Sequence, residues 1–211
     1  MGNVHFEIGA ATVLGPLLAA FGVLVAVRAR RGRAGWTGQH AVTRLLAAAY
    51  AAGVLALTLF PVVVTYGEYA NLMPWTNQIN WIPVPSPDPS IAANVLLTVP
   101  LGMLLPLMTA RIGTKGRVTA VTAAVSLAIE LSQLLMYVVV NNARLTDTTD
   151  LLVNTLGGYL GCVVLYRAAR IPAVARLLGS LALPGSAFAS DGPASARPTI
   201  HPAGEPTATR S

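Results

Sequence analysis

The sequence predicts an all-α fold: a polytopic membrane bundle of about five transmembrane helices, with the N-terminus outside, the C-terminus inside and a disordered C-terminal tail. Three observations lead to this prediction. Hydrophobic residues make up 54% of the 211 positions and charged residues only 10%, whereas soluble domains average about 25% charged residues. Apolar stretches recur at close to the ~20 residues that a spanning helix needs. Basic residues gather in alternate connecting segments, as expected of cytoplasmic loops.

The apolar stretches lie at residues 5–27, 42–64, 91–110, 118–140 and 150–168. They predict a transmembrane domain over residues 1–170. Residues 171–211 are dominated by Ala, Ser, Gly, Pro and Thr, a composition typical of disorder, and are predicted to form a cytoplasmic tail. Within that tail, Val174 to Leu183 is too short to span a bilayer and is a candidate for a short helix on the membrane surface.

The distribution of charge predicts the orientation. Basic residues lie around the connection between the first two stretches, between the third and fourth, and from the end of the fifth onward. They are Arg28, Arg30, Arg31, Arg33, Arg44, Arg111, Lys115, Arg117, Arg167, Arg170 and Arg176. The alternate segments, 1–4, 65–90 and 141–149, contain one basic residue, Arg144. The net charge of +6 therefore follows membrane topology. It predicts a multi-pass protein of the cell membrane with no nucleic-acid partner.

The first two stretches carry little chemistry. His5 and Glu7 are expected at the outer end of the first helix, in the interface, and the Ala- and Leu-rich second stretch is expected to be structural. The outward loop that follows carries Trp75 and Trp81, which are expected in the aromatic belt at the headgroups. The single cysteine, Cys162, lies in the fifth stretch and is expected to serve in packing.

The last three stretches carry polar stripes, because residues three or four apart share a helix face. Asn94, Thr98 and Gly102 form one stripe on the third stretch, and small or polar residues of this kind favour close helix contact. The fourth stretch carries Ser126, Glu130, Gln133 and Tyr137, and the fifth carries Asp150, Asn154, Gly157 and Gly161, with Arg144 and Asp147 just before it. We expect these stripes to converge in the outer half of the membrane.

An ionisable side chain inside a span is costly and is by default a candidate functional residue. We therefore predict a functional polar cluster, consisting of Asn94, Glu130, Gln133, Arg144, Asp147, Asp150 and Asn154. The alternative for the amides is that they join helices, and Gly157, Gly158 and Gly161 are predicted to serve in close helix packing. Within the cluster, an ion pair of Arg144 with Asp147 or Asp150 is the simplest arrangement.

Three motifs in order resemble the VanZ-like family of small bacterial membrane proteins, named for a teicoplanin-resistance protein. They are NVLLTVPLG from Asn94, IELSQ from Ile129, and R-x-x-D-x-x-D-L-x-x-N-x-x-G-G-x-x-G from Arg144. The resemblance covers about residues 81–166, and the NWIP element from Asn80 also resembles one that precedes the third span in that family. It implies an integral membrane protein that in at least one case lowers susceptibility to a glycopeptide without remodelling the peptidoglycan precursor. It supplies no established reaction.

The leading hypothesis is a cell-envelope protein without enzymatic activity that lowers susceptibility to teicoplanin-type glycopeptides. Its outward polar pocket would engage membrane lipids, a lipid-linked cell-wall precursor or a lipoglycopeptide. His5, His40 and His201 are scattered, and there is neither a Ser/His nucleophile pattern nor a phosphate loop. We predict no catalytic residue, no metal site and no cofactor, and leave the oligomeric state open.

Two alternatives remain. One is a membrane enzyme that uses Glu130, Asp147 and Asp150 as acid, base or ligands of a divalent cation on a lipid-linked headgroup. The other is a proton-coupled transporter, in which Glu130 would relay protons. Five spans without a visible inverted repeat make the transporter less attractive.

Overall fold

The computed structural model describes residues 3–68, 70, 73–82, 89–142 and 146–189. Its helices are α1 (Ala10–Arg30), α2 (Gly38–Leu59), α3 (Pro89–Met108), α4 (Lys115–Val140), α5 (Thr148–Ala168) and α6 (Pro172–Leu181). Its strands are β1 (Val4–Ile8), β2 (Val62–Tyr66), β3 (Ile79–Asn80) and β4 (Thr146–Asp147), and 3₁₀ turns lie at Trp75–Gln78 and Ala110–Ile112. The fold is thus mostly helical.

The helices α1 to α5 are all long and apolar enough to cross a membrane. This confirms the predicted bundle of five transmembrane helices. The basic residues lie at one end of the bundle, in the connections α1–α2 and α3–α4 and after α5. The connections α2–α3 and α4–α5 lie at the opposite end. The inward orientation of the basic end stays a prediction.

The first two apolar stretches do not become helix over their full length. His5 and Glu7 were expected at a helix end, but they lie in β1, which pairs antiparallel with β2. Pro61 follows the last residues of α2, where it cannot continue a helix, and the β-branched Val62–Val64 favours a strand. The hydrophobic composition of these segments is compatible with a helix and with a strand. They form strands because β1 pairs with β2, about 60 residues away in the chain.

Helix α5 is the centre of the bundle, because it packs against both α3 and α4 with its small residues. A Cβ atom added at Gly102 of α3 would lie 2.8 Å from the carbonyl carbon of Gly158. One added at Gly161 would lie 2.9 Å from the carbonyl carbon of Val99. Such distances are shorter than van der Waals contact, so the backbones of α3 and α5 touch. The stripe of Thr98 and Gly102 is buried in this seam.

The hairpin of α1 and α2 lies beside this three-helix core and is joined to it by a few hydrogen bonds. The Tyr50 hydroxyl donates to the Leu97 carbonyl of α3 at 2.7 Å. The Thr43 hydroxyl donates to the Leu181 carbonyl at the end of α6, also at 2.7 Å. The limited contact leaves a groove between α2 and the core.

The chain folds back on itself after α5, within the segment assigned to a disordered tail. The backbone N–H of Leu183 donates to the Leu107 carbonyl at 2.8 Å, and that of Ala187 donates to the Pro106 carbonyl at 3.0 Å. These acceptors belong to the last turn of α3, whose carbonyls have no partner within the helix. The predicted tail is therefore ordered over residues 171–189.

Helix α6 coincides with the short helix expected at Val174 to Leu183. Its Leu178 is buried together with Leu107 and Leu165 of α3 and α5. The helix thus caps the basic end of the bundle. The rest of the predicted tail, residues 190–211, lies outside the described residues.

Candidate functional site

The candidate site lies at the N-terminus of α5, at the end of the bundle opposite the basic connections. Two loops meet there through the short parallel pairing of β3 and β4, with Ile79 opposite Thr146 and Asn80 opposite Asp147. The second half of α4 and the first turns of α3 supply the remaining side chains. The site is thus assembled from segments that are 17 to 67 residues apart in the chain.

Glu130 and Asp147 are joined directly. Glu130 is only 5% exposed, and its Oε2 accepts the backbone N–H of Asp147 at 3.0 Å. Asp147 is the N-cap of α5: its Oδ1 accepts the N–H of Thr149 at 2.7 Å, and its Oδ2 accepts an N–H of Asn80 at 3.1 Å. A helix N-terminus favours negative charge, so this position suits both carboxylates.

The pKa of Asp147 reflects these contacts. Burial acts to raise the pKa, but hydrogen bonds from Thr149 and from the Asn80 side chain to the carboxylate outweigh it and hold the pKa below the usual 3.8. Hydrogen bonding to the charged form favours ionisation. Asp147 is therefore a fixed anion at the end of α5.

Asp150 and Asn94 form the second pair of the site. The Asn94 side chain donates to Asp150 Oδ1 at 2.5 Å and so links the first turns of α3 and α5. Asp150 is also close enough to Glu130 for the two carboxylates to repel each other when both are charged. Asn94, Glu130, Asp147 and Asp150 therefore lie near one another at this end of the bundle.

Two other residues of the predicted cluster point to different neighbours. The Gln133 side chain donates to the Thr58 carbonyl at 2.9 Å and ties α4 to α2. The Asn154 side chain lies one turn deeper than Asp150 and donates to Ser126 Oγ at 3.0 Å, joining α5 to α4. Arg144, the predicted ion-pair partner, lies outside the described residues.

The structure adds Asn80, which is absent from the predicted cluster. Its side chain donates to Asp147, and its carbonyl accepts the Thr148 hydroxyl at 2.9 Å. Asn80 begins the NWIP element, which is the feature of the sequence that could have indicated its place in the site. Nearby, the Tyr137 hydroxyl donates to the Met73 carbonyl at 2.5 Å, so the polar stripe of α4 also holds the loop before α3.

The glycines line the seam below the site. Gly157 and Gly161 face α3, because a Cβ atom at either one would meet the backbone of Val95 or Val99. Gly158 faces Thr122 of α4. Their position matches the packing role proposed from the sequence, and the close approach brings the polar first turns of α3 and α5 together.

A cavity of about 710 Å³ lies between α2, α3 and α4. Its wall is mostly aliphatic, and among the described residues of the predicted cluster only Asn154 lines it. Within the described part of the chain, no three His, Cys, Asp or Glu side chains are placed to hold a metal ion. Asp147 and Asp150 are partly exposed, and their carboxylates suit a ligand with N–H or O–H donors, whereas Glu130 is buried.

A family model described as VanZ/LLP1 matches residues 46–170, which is more than half of the chain. The match includes α3, α4, α5 and all residues of the predicted cluster. No curated protein and no solved structure matches the chain.

Proposed function

The chain belongs to the VanZ/LLP1 family, and we propose that this membrane protein acts in the bacterial cell membrane, where it lowers susceptibility to teicoplanin-type glycopeptides. In this proposal the site at the N-terminus of α5 faces outward and engages the headgroup of a lipid-linked cell-wall precursor, another envelope lipid or a lipoglycopeptide. The observation that carries the proposal is the convergence of Glu130, Asp147 and Asp150 at one helix end.

The number of acidic groups argues for more than helix packing. An ionisable side chain at the depth of a membrane span is costly. Neutral polar side chains join membrane helices without this cost, as Asn154 does with Ser126 in the next layer. We therefore expect the three acidic groups to serve binding.

The composition of the site indicates the chemistry of the ligand. Carboxylates accept hydrogen bonds from amide N–H groups, hydroxyls and ammonium groups. A glycopeptide and a peptide-bearing sugar headgroup both present such donors. A ligand with an attached acyl or isoprenoid chain would also remain at the depth of the membrane, where Trp75 and Trp81 are exposed beside the site.

The test is the susceptibility of cells that express the chain, with the Glu130→Gln and Asp150→Asn variants compared with the parent. The amide oxygen introduced by Glu130→Gln can still accept the Asp147 N–H, so the local structure should persist while the charge is lost. We expect the parent to raise the inhibitory concentration of teicoplanin, and both variants to return it to that of cells without the protein.

The matched control is Glu68→Gln, because Glu68 is an exposed acid at the same end of the bundle. It should keep the activity of the parent, and the amount of each variant in the membrane fraction should be equal. Unchanged activity in both Glu130→Gln and Asp150→Asn would remove the site from the proposal. A parent without any effect on susceptibility would remove the resistance function.

A membrane enzyme is the second candidate, because the proximity of Glu130, Asp147 and Asp150 would also suit acid and base chemistry on a lipid-linked headgroup. Incubation of the purified protein with lipid-linked precursors, with and without Mg²⁺, tests it. Product formation that is lost in Glu130→Gln would favour this candidate over binding alone.

A further inference from the structure

The cavity between α2, α3 and α4 is a long apolar groove. Along α2, Arg44 lines one end and Thr58 lies at the other, so at 1.5 Å per residue the groove extends over about 21 Å. This is about two-thirds of the ~30 Å hydrocarbon core. The groove thus follows the direction of the helices and is long enough to hold a lipid chain.

Small side chains create the groove. Helix α2 contributes Ala47, Ala48 and Ala51, opposite larger aliphatic residues such as Leu101 and Leu104 of α3. Its volume of about 710 Å³ falls within the range of about 300–1,000 Å³ that is usual for ligand sites. The apolar wall suits a hydrocarbon chain.

The end of the groove at Arg44 is strongly basic. The guanidinium groups of Arg28 and Arg44 both lie over the Trp36 ring, with their central carbons 4.3 Å and 4.0 Å from its centroid. Arg44 Nε also donates to the Gly35 carbonyl at 2.9 Å, which fixes its position. The ring and the carbonyl hold the two cations at the mouth of the groove.

The pair of like charges would attract an anion. They share one ring and are therefore closer than the Debye length, about 10 Å at 0.1 M salt, so they repel each other. The acidic residues in the described part of the chain are Glu7, Glu68, Glu130, Asp147 and Asp150, and they lie towards the other end of the helices. A phosphate would complement the pair, since guanidinium groups bind phosphate with paired hydrogen bonds.

We propose that the groove is a binding site for one anionic phospholipid, with its phosphate at Arg28 and Arg44 and one acyl chain along Ala47, Ala48 and Ala51. Basic pockets between transmembrane helices bind anionic headgroups in this way. The site is at the opposite end of the bundle from the acidic cluster and does not depend on the proposed function of that cluster.

The experiment measures lipid binding to the full chain by native mass spectrometry, with phosphatidylglycerol and phosphatidylcholine of the same acyl chains as probes. We expect one phosphatidylglycerol per chain to be retained in preference to phosphatidylcholine. Arg28→Gln and Arg44→Gln should each lower its affinity about fivefold, the value of one basic residue near a lipid phosphate. Ala51→Phe should lower it by filling the groove.

Two variants serve as matched controls. Arg31→Gln removes an exposed charge from the same connection, and Ala49→Phe adds the same ring to α2 at an exposed position outside the groove. Neither should change the affinity for phosphatidylglycerol. If Arg44→Gln proves too unstable to purify, the lipid affinities of Arg28→Gln and Ala51→Phe test the proposal.

The proposal is overturned if phosphatidylcholine binds equally well, or if the control variants weaken binding as much as the groove variants do. It is also overturned if inorganic phosphate alone displaces the lipid and Ala51→Phe has no effect, since the groove would then hold no chain. Susceptibility to teicoplanin is a separate readout, so failure of this site and failure of the acidic site remain distinguishable.

Discussion

The substitution Gly161→Ala tests the contact on which the site depends, the backbone approach of α5 to α3. The new methyl group would lie 2.9 Å from the carbonyl carbon of Val99 and nearer still to its oxygen. Carbon atoms pack at about 3.5–4.0 Å, so the two helices would have to separate by roughly 1 Å or bend. The atoms that the methyl group meets belong to the backbone of α3, which cannot move aside as a flexible side chain would.

The expected cost follows from two opposing terms. Overpacking of a tight interior costs about 1–3 kcal/mol, and contact with backbone belongs at the upper end. Replacing Gly by Ala inside a helix returns about 0.5–1 kcal/mol. We therefore expect Gly161→Ala to lower the free energy of unfolding by about 2 kcal/mol.

The measurement is unfolding of the purified chain in mixed micelles with increasing denaturing detergent. Gly53→Ala is the control, since Gly53 also lies inside a helix but a Cβ atom there has nothing within 4 Å. It should be as stable as the parent or slightly more stable. Equal stability of Gly161→Ala and Gly53→Ala would refute the backbone contact between α3 and α5.

Three further predictions concern the site. Asp147→Ala removes the cap on Thr149 and the acceptor for Asn80 and should cost about 1–2 kcal/mol, whereas Asp147→Asn keeps an acceptor oxygen and should cost less. The folded pKa of Asp147 is below 3.8, so the contribution of its carboxylate to the stability of the fold is complete above that value and is lost as the pH falls through the folded pKa. Thermal stability measured from pH 5 to pH 3 should therefore fall more steeply in the parent than in Asp147→Asn. A double-mutant cycle of Asn94→Ala and Asp150→Ala should give a coupling of about 0.6–1.7 kcal/mol, and zero coupling would contradict their hydrogen bond.

Much of the site was predictable, because helix periodicity is a local property. The stripes through Asn94, Glu130 and Asp150 followed from residues three and four apart, and all three meet in the structure. Asn80 was missed because it lies in a two-residue strand, which is too short to show a period. Only the pairing of β3 with β4 brings it to Asp147, which is 67 residues away.

The sequence by itself determined the five spans, the stripes that face inward and the basic end of the bundle, since each depends on apolar length, helical period or charge in neighbouring residues. The tertiary structure decided that β1 and β2 form an antiparallel pair, that residues 172–189 cap the bundle, and that the Gln133 side chain contacts α2. It also decided that α2 leaves a groove with Arg44 at its mouth. These features depend on which distant surfaces meet, and no local pattern of residues specifies that.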